Sequence, residues 1–251
     1  MSTLRLHQHL RLNAVAVLMP ALAACGGGDD ATSGTELTGE PIAEVPAPEG
    51  QTWTQVVSRT EEGGYLMGNP DAPIKLLEFA SLTCGACAQF SQQSSEELKS
   101  EFIESGRVSF EYRNYLRGPQ DLIAAQIMEC GAPERVIPLA DQHYARFDEF
   151  GQALSDPRMQ QISSLPEDQQ NAAFAEISGL LDFFAQRGIS RDEALSCIAD
   201  EAKATQMAEQ MQSWNSNYEI TGTPTIYING NPAGVTSWDA VKQRLEAMGA
   251  R

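Results

Sequence analysis

Two cysteines separated by two residues, Cys84-Gly85-Ala86-Cys87, constrain this chain more than any other feature, because the segments on either side have different hydrophobic periods. Before the pair lies Ile74-Lys75-Leu76-Leu77-Glu78-Phe79, a short apolar run of the buried-strand type. After it, Ala88 to Ser105 carries Phe90, Leu98 and Phe102 at helical spacings. The pair therefore falls where a strand hands over to a helix, with Cys84 at the helix N-terminus. Unpaired backbone N–H groups and the helix dipole stabilise a thiolate there and lower its pKa. Cys87 sits one turn further on, on the same face, and is placed to attack Cys84 and close a disulfide. Two other readings compete. A zinc site wants a second closely spaced pair or nearby histidines, whereas Cys130 and Cys197 stand alone. A purely structural disulfide would have to close a tight ring. Redox chemistry is the reading the spacing favours.

Composition restricts what else the chain can do. It has 251 residues, of which 34 are acidic and 17 basic, for a formal charge of −17. That balance argues against nucleic-acid binding and against electrostatic adhesion to anionic lipid. The apolar share of 42% supports a packed core. Only His7, His9 and His143 occur, and no phosphate-cradling loop is present.

Residues 1–24 hold Arg5 and Arg11, no acid, and an apolar run from Leu12 to Ala24 that is short for a bilayer span. They read as a signal peptide. Leu22-Ala23-Ala24-Cys25 followed by glycines resembles a bacterial lipobox, which implies lipidation of Cys25, an exported mature chain and a membrane anchor. An ordinary secretory peptide with an incidental cysteine is the alternative. Residues 25–51 read as a flexible acidic tether: between 26 and 50 there are six glycines, three prolines and six acids, with no Lys, Arg or aromatic residue. Folding is expected to begin near Trp53. Assigning Cys25 to lipid leaves four cysteines in an oxidising compartment.

Further along, Val108, Phe110 and Tyr112 alternate with polar residues as a second strand. Thr221-Gly222-Thr223-Pro224-Thr225 leads into Ile226-Tyr227-Ile228, a strand begun by a proline. Asn229-Gly230 signals a hairpin turn with a return strand around Ala233 to Val235. Thr236 and Asp239 form a capping-box pattern before a closing helix through Val241, Leu245 and Met248.

The helix-start cysteine pair, Gly-Thr-Pro-Thr before a hairpin, and Glu78 six residues ahead of Cys84 resemble the thioredoxin fold. Gly68-Asn69-Pro70-Asp71-Ala72-Pro73 entering the first strand, with a helical insertion, is similar to the DsbA-like branch of exported thiol-disulfide oxidoreductases. The match runs from about Gly68 to Gly249. It implies an α/β thioredoxin fold with an inserted helical domain: a first part at 52–117, the insertion at 118–206 and a second part at 207–251. It also implies a cis Pro224 facing the disulfide, Thr223 offering backbone hydrogen bonds to a substrate strand, and Glu78 as the family's buried acid that moves a proton at Cys87. An ordinary exposed strand glutamate is the other reading of Glu78.

Within the insertion, helices are expected at 121–130, 134–147, 168–177, 180–187 and 192–200, with 201–218 returning to the sheet. Cys130 and Cys197 lie on helices among apolar neighbours, and pairing is expected in an oxidising space, worth roughly 4 kcal/mol in the chain-entropy account. Some DsbA-like relatives carry a comparable second disulfide, while two separate buried thiols remain the alternative. His143 reads as a surface helix residue.

Two departures from the family pattern stand out. Gly85-Ala86 replaces the usual Pro-His and supplies no side-chain donor to the thiolate, and Thr223 before Pro224 is closer to the isomerases. The resemblance implies a periplasmic, lipid-anchored enzyme that forms disulfides in exported cysteine-containing proteins through Cys84 and Cys87. It needs no metal, nucleotide or flavin, and its partner is a membrane quinone-linked oxidase or thiol reductase. The alternatives are an isomerase or reductase kept reduced by a membrane partner, and a non-catalytic binding or chaperone module.

Overall fold

A computed structural model describes residues 39–251. The signal peptide, Cys25 and the first part of the tether lie outside the described residues.

The central strand β3 (Ile74–Ala80) exposes only Lys75, so its near-continuous apolar run is buried on both faces. It pairs in parallel with β4 (Val108–Asn114) and antiparallel with β5 (Thr225–Ile228), placing Glu78 between Tyr112 and Ile226. Two short strands ahead of the cysteines, β1 (Val57–Arg59) and β2 (Tyr65–Met67), extend the sheet past β4, and β6 (Asn231–Pro232) closes the other edge. The order is β1-β2-β4-β3-β5-β6. Sequence patterning missed β1 and β2 because three residues are too few to show a period. The return strand lies at 231–232 rather than 233–235: Asn229 and Gly230 both take positive φ (50° and 77°), so pairing resumes directly after the two-residue turn.

Helix α1 (Gly85–Glu97) leaves the end of β3 and passes into a wider π turn at Leu98–Ile103 that leads to β4. Between β4 and β5 come α2 (Pro119–Met128), α3 (Val136–Tyr144), α4 (Phe147–Ala153), α5 (Glu167–Ile177), α6 (Leu180–Ala185), α7 (Arg191–Ile198) and α8 (Glu201–Asn217). The boundary expected at 206 thus falls inside α8, one uninterrupted helix. Helix α9 (Trp238–Ala247) follows β6. Its cap is Ser237 with no side-chain bond, so the Thr236–Asp239 capping box does not form. By contrast Ser190 caps α7, accepting from the Glu193 N–H at 3.2 Å.

One core runs through sheet and insertion together. A smaller aromatic cluster of Phe79, Trp214 and Tyr227 ties α8 to the far face of β3 and β5. Arg113 lies over the rings of Phe79, Trp214 and Tyr218 and is ion-paired to Glu62 and Glu111 at 2.7 and 2.8 Å.

The C-terminal part of the tether is not free. Gly39, Ile42 and Val45 donate backbone N–H bonds to Ala247, Gly249 and Ser105 at 2.7, 2.9 and 2.9 Å. Trp53 Nε1 donates to Val45 O at 2.7 Å, and a Cβ on Gly106 would collide with that same oxygen. Composition predicts mobility because this segment has little apolar surface to bury. It is held instead by backbone bonds, one of them to the last carbonyl of α9, which lacks a partner within the helix, and one to Gly249 just beyond it.

Cys130, just beyond α2, is joined to Cys197 in α7, with Cα atoms 6.0 Å apart across a separation of 67 residues. A double replacement Cys130→Ala/Cys197→Ala should lower the unfolding free energy by about 2–4 kcal/mol, read as a fall in the urea midpoint. An unchanged midpoint would mean that the bridge does not constrain the unfolded chain.

Candidate active site at the start of helix α1

Cys84 is the N-cap of α1, in an extended conformation (φ −98°, ψ 115°), so its sulfur stands where a cap oxygen usually stands. Its Sγ accepts the Cys87 N–H at 3.2 Å, and its thiol donates to Thr223 O at 3.2 Å. The Thr223–Pro224 peptide bond is cis. A surface cleft of about 400 Å³ runs beside it, walled by Thr221 to Ile226 and by Pro232 to Thr236. Cys84 and Cys87 are both free thiols, 4% and 0% exposed.

Their environments drive the two thiols apart. Hydrogen bonds from the Cys87 thiol, from the Thr223 side chain and from the N–H groups of Cys87 and Ala86 bring Cys84 down to about 5, against the opposing cost of burial. Cys87 is pushed far up, first by burial, then by its bond to Cys84 and by the Glu78 charge. Cys84, the less enclosed of the two, is the readily ionised thiol, and Cys87 keeps its proton.

Glu78 is 4% exposed, which removes the exposed-glutamate reading. Burial, with the Asp141 and Cys84 charges, raises it to about 8. Its Oε1 has no hydrogen-bond partner among the described residues. A cavity of about 20 Å³ separates it from Ser91, Ser94, Tyr144 and the Lys99–Asp141 ion pair, which is space for about one water molecule. Tyr112 and Tyr144 meet through their hydroxyls at 3.1 Å, and burial holds both far above the ordinary tyrosine range.

The structure thus gathers Cys84, Cys87, Glu78, Thr223 and Pro224 at one end of the sheet, and the Cys130–Cys197 bridge joins α2 to α7 within the insertion. Among the described residues no group of three or more His, Cys, Asp or Glu is placed to hold a metal ion, and no helix is long and apolar enough to cross a membrane.

His143 differs from the expectation of a surface residue. It is 4% exposed, stacked on Phe150 with ring centroids 4.3 Å apart, and burial lowers its pKa to about 3. A sequence neighbourhood of Gln142 and Tyr144 does not reveal that α4 folds back over it.

Asp121 was also missed. It is 2% exposed on α2, and it accepts from Ser81 Oγ, Thr83 N, Thr83 Oγ1 and Arg117 N at 2.8, 2.9, 3.0 and 2.9 Å. An acid in the first turn of a helix ordinarily reads as a partner of that helix's own N–H groups, and partners 38 and 40 residues away leave no local signal.

A family model described as thioredoxin matches residues 60–247. The crystal structure of a protein-disulfide isomerase from Novosphingobium aromaticivorans superposes with a TM-score of 0.67 at 29% identity, covering 72% of this chain and 95% of that one. α-DsbA1 of Wolbachia pipientis superposes with a TM-score of 0.59 at 19% identity, covering 74% and 90%, a likeness of fold. Disulfide bond formation protein D of Bacillus subtilis is 24% identical over 187 residues, 74% of this chain and 77% of the relative. Proteins named as protein-disulfide oxidoreductases in Rickettsia conorii and Rickettsia bellii are 21% and 22% identical, and the chain spans 62% and 63% of their lengths, less than two thirds.

The raised Glu78 has a consequence for stability. Folded, Glu78 keeps its proton up to about pH 8, whereas its ordinary value is 4.5. Between those values the folded state binds more protons than the unfolded one, so stability falls as pH rises through the window. Glu78→Gln removes that contribution. Its advantage over the parent protein should be small near pH 4, grow to on the order of 3 kcal/mol at pH 7 and level off above about pH 8. Denaturant titrations across this range check it, and a pH-independent difference would contradict it.

Proposed function

The chain belongs to the thioredoxin family, and from that premise we propose that it is an exported, membrane-tethered thiol-disulfide oxidoreductase that forms disulfides in exported cysteine-containing proteins. The observation that carries this reading is the asymmetry of the two thiols, an acidic Cys84 at the helix cap over a protonated, enclosed Cys87. A thiolate of that kind is a good leaving group, and stabilising it stabilises the reduced protein, so the disulfide form is the one that gives its bond away.

In the forward direction a substrate thiolate attacks Cys84 Sγ of the Cys84–Cys87 disulfide. The new bond joins substrate sulfur to Cys84, and Cys87 leaves with the electron pair. Glu78, raised towards neutrality, gives Cys87 its proton and recovers one through the cavity that leads to Asp141 and Lys99. A second substrate thiolate then attacks the substrate sulfur of the mixed disulfide, closing the substrate's bond and releasing Cys84 as thiolate. Thr223, beside Pro224 and the 400 Å³ cleft, offers backbone groups to an extended substrate segment. Reoxidation falls to a membrane redox partner, and lipid on Cys25 would keep the periplasmic chain at the membrane that holds it.

A second reading has its own support. Thr223 ahead of the cis-proline, and the 29% identity to a structure named as a protein-disulfide isomerase, favour an isomerase kept reduced by its membrane partner. The reduction potential decides between them. Equilibration of a form lacking Cys25 in glutathione buffers should give a value above about −180 mV, whereas a value near −270 mV would overturn the oxidising direction. Cys87→Ser should accumulate mixed disulfides with substrate proteins, and Cys84→Ser should abolish exchange altogether. A function that survives Cys84→Ser would mark a binding module.

A further inference from the structure

We infer that Asp121 is the positioning residue of the nucleophile: its carboxylate, carried in on α2 of the insertion, fixes the Ser81–Thr83 turn from which Cys84 is aimed. This rests on the reading of Cys84 as the attacking or attacked sulfur. The turn joins the end of β3 to the cap of α1, and Cys84 N–H closes it by donating to Ser81 O at 3.1 Å. Asp121 holds it from outside. Oδ1 takes Ser81 Oγ at 2.8 Å and Thr83 N–H at 2.9 Å. Oδ2 takes Thr83 Oγ1 at 3.0 Å and Arg117 N–H at 2.9 Å. Among the described residues no lysine or arginine side chain pairs with this carboxylate, so these donors and the N-terminal turn of α2 compensate its charge.

The arrangement demands a carboxylate of this length. Thr83 N–H and Arg117 N–H can only donate, and each addresses a different oxygen. An asparagine amide would turn its own NH2 towards one of them, and a glutamate carries an extra methylene in a space that is closed. A buried carboxylate is costly, and an apolar residue of similar volume often packs as well or better where packing is the only need. What a pinned turn does provide is geometry. Cys84 Sγ must meet the Cys87 N–H at 3.2 Å, and such a bond weakens steeply as its angle opens.

The sign of one measurement separates aim from charge. Removing a negative charge near a thiol, with nothing else changed, favours its thiolate and lowers its pKa. Releasing the turn takes Sγ away from its donors and raises it. In the full reduced chain with Cys25 replaced by serine, thiolate absorbance near 240 nm against pH should give a Cys84 midpoint close to 5. In Asp121→Asn that midpoint should rise by about one unit, and the equilibrium with glutathione should move about tenfold towards the disulfide form. Thr83→Val removes a single hydroxyl donor and no charge, and should give a smaller shift in the same direction. It also serves where Asp121→Asn does not fold. An unchanged or lowered midpoint in the folded variant would overturn the inference, leaving Asp121 with a role in stability alone. A parent midpoint near 8.5 would count instead against the oxidoreductase reading itself, and the two failures are therefore told apart.

Discussion

A sulfur in the place of a cap oxygen is the interaction on which the site depends. The first N–H groups of α1 need an acceptor, and Cys84 Sγ supplies one to Cys87 N–H at 3.2 Å. The bond satisfies the helix, favours the thiolate and sets Cys84 above Cys87 in one stroke. It can form only if α1 starts one short turn after β3, which is why the parallel pairing of β3 with β4 and the burial of both faces of β3 matter to chemistry as well as to stability. A frayed or displaced β3 would carry the cap away from the helix it serves.

Behind that cap the insertion is a wall of the site rather than an appendage. Tyr144 at the end of α3 closes the space around Glu78 with Tyr112, and Asp141 stands at the mouth of the small cavity with Lys99. Asp121 reaches the turn in front of Cys84. The low dielectric that keeps Cys87 protonated and Glu78 near neutrality is therefore built jointly by sheet and helices.

What the sequence could show follows from the range of the interactions. The cysteine pair, the strand before it, the helix after it and the hairpin at Asn229-Gly230 are local patterns, and they are readable at their positions. Glu78 was reached through resemblance rather than period, since alternation alone cannot tell a buried acid from an exposed one in so apolar a strand. Asp121 and the docking of residues 39–45 depend on partners tens to hundreds of residues away, and His143 is buried by a chain reversal that packs Phe150 and Phe183 against it. The fold is thus far more legible than the second layer of the site, because period-2 and period-3.6 patterns report burial of apolar surface and are silent about which buried polar group meets which.

The residues between the cysteines set the balance of what remains. Gly85 and Ala86 bring no side-chain donor, so the groups that favour the Cys84 thiolate are the Cys87 thiol, Thr223 and the backbone N–H groups of Ala86 and Cys87. A charged neighbour tolerates errors of an ångström, since Coulomb energy falls only as the inverse of distance. Hydrogen bonds do not, because they depend on angle as well. A site that stabilises its thiolate by hydrogen bonds must hold the sulfur's position tightly, and the threefold grip of Asp121 on the preceding turn is the feature of this chain that meets that requirement. The missing side-chain donor and the buried carboxylate are then two sides of one solution, with aim taking the place of charge.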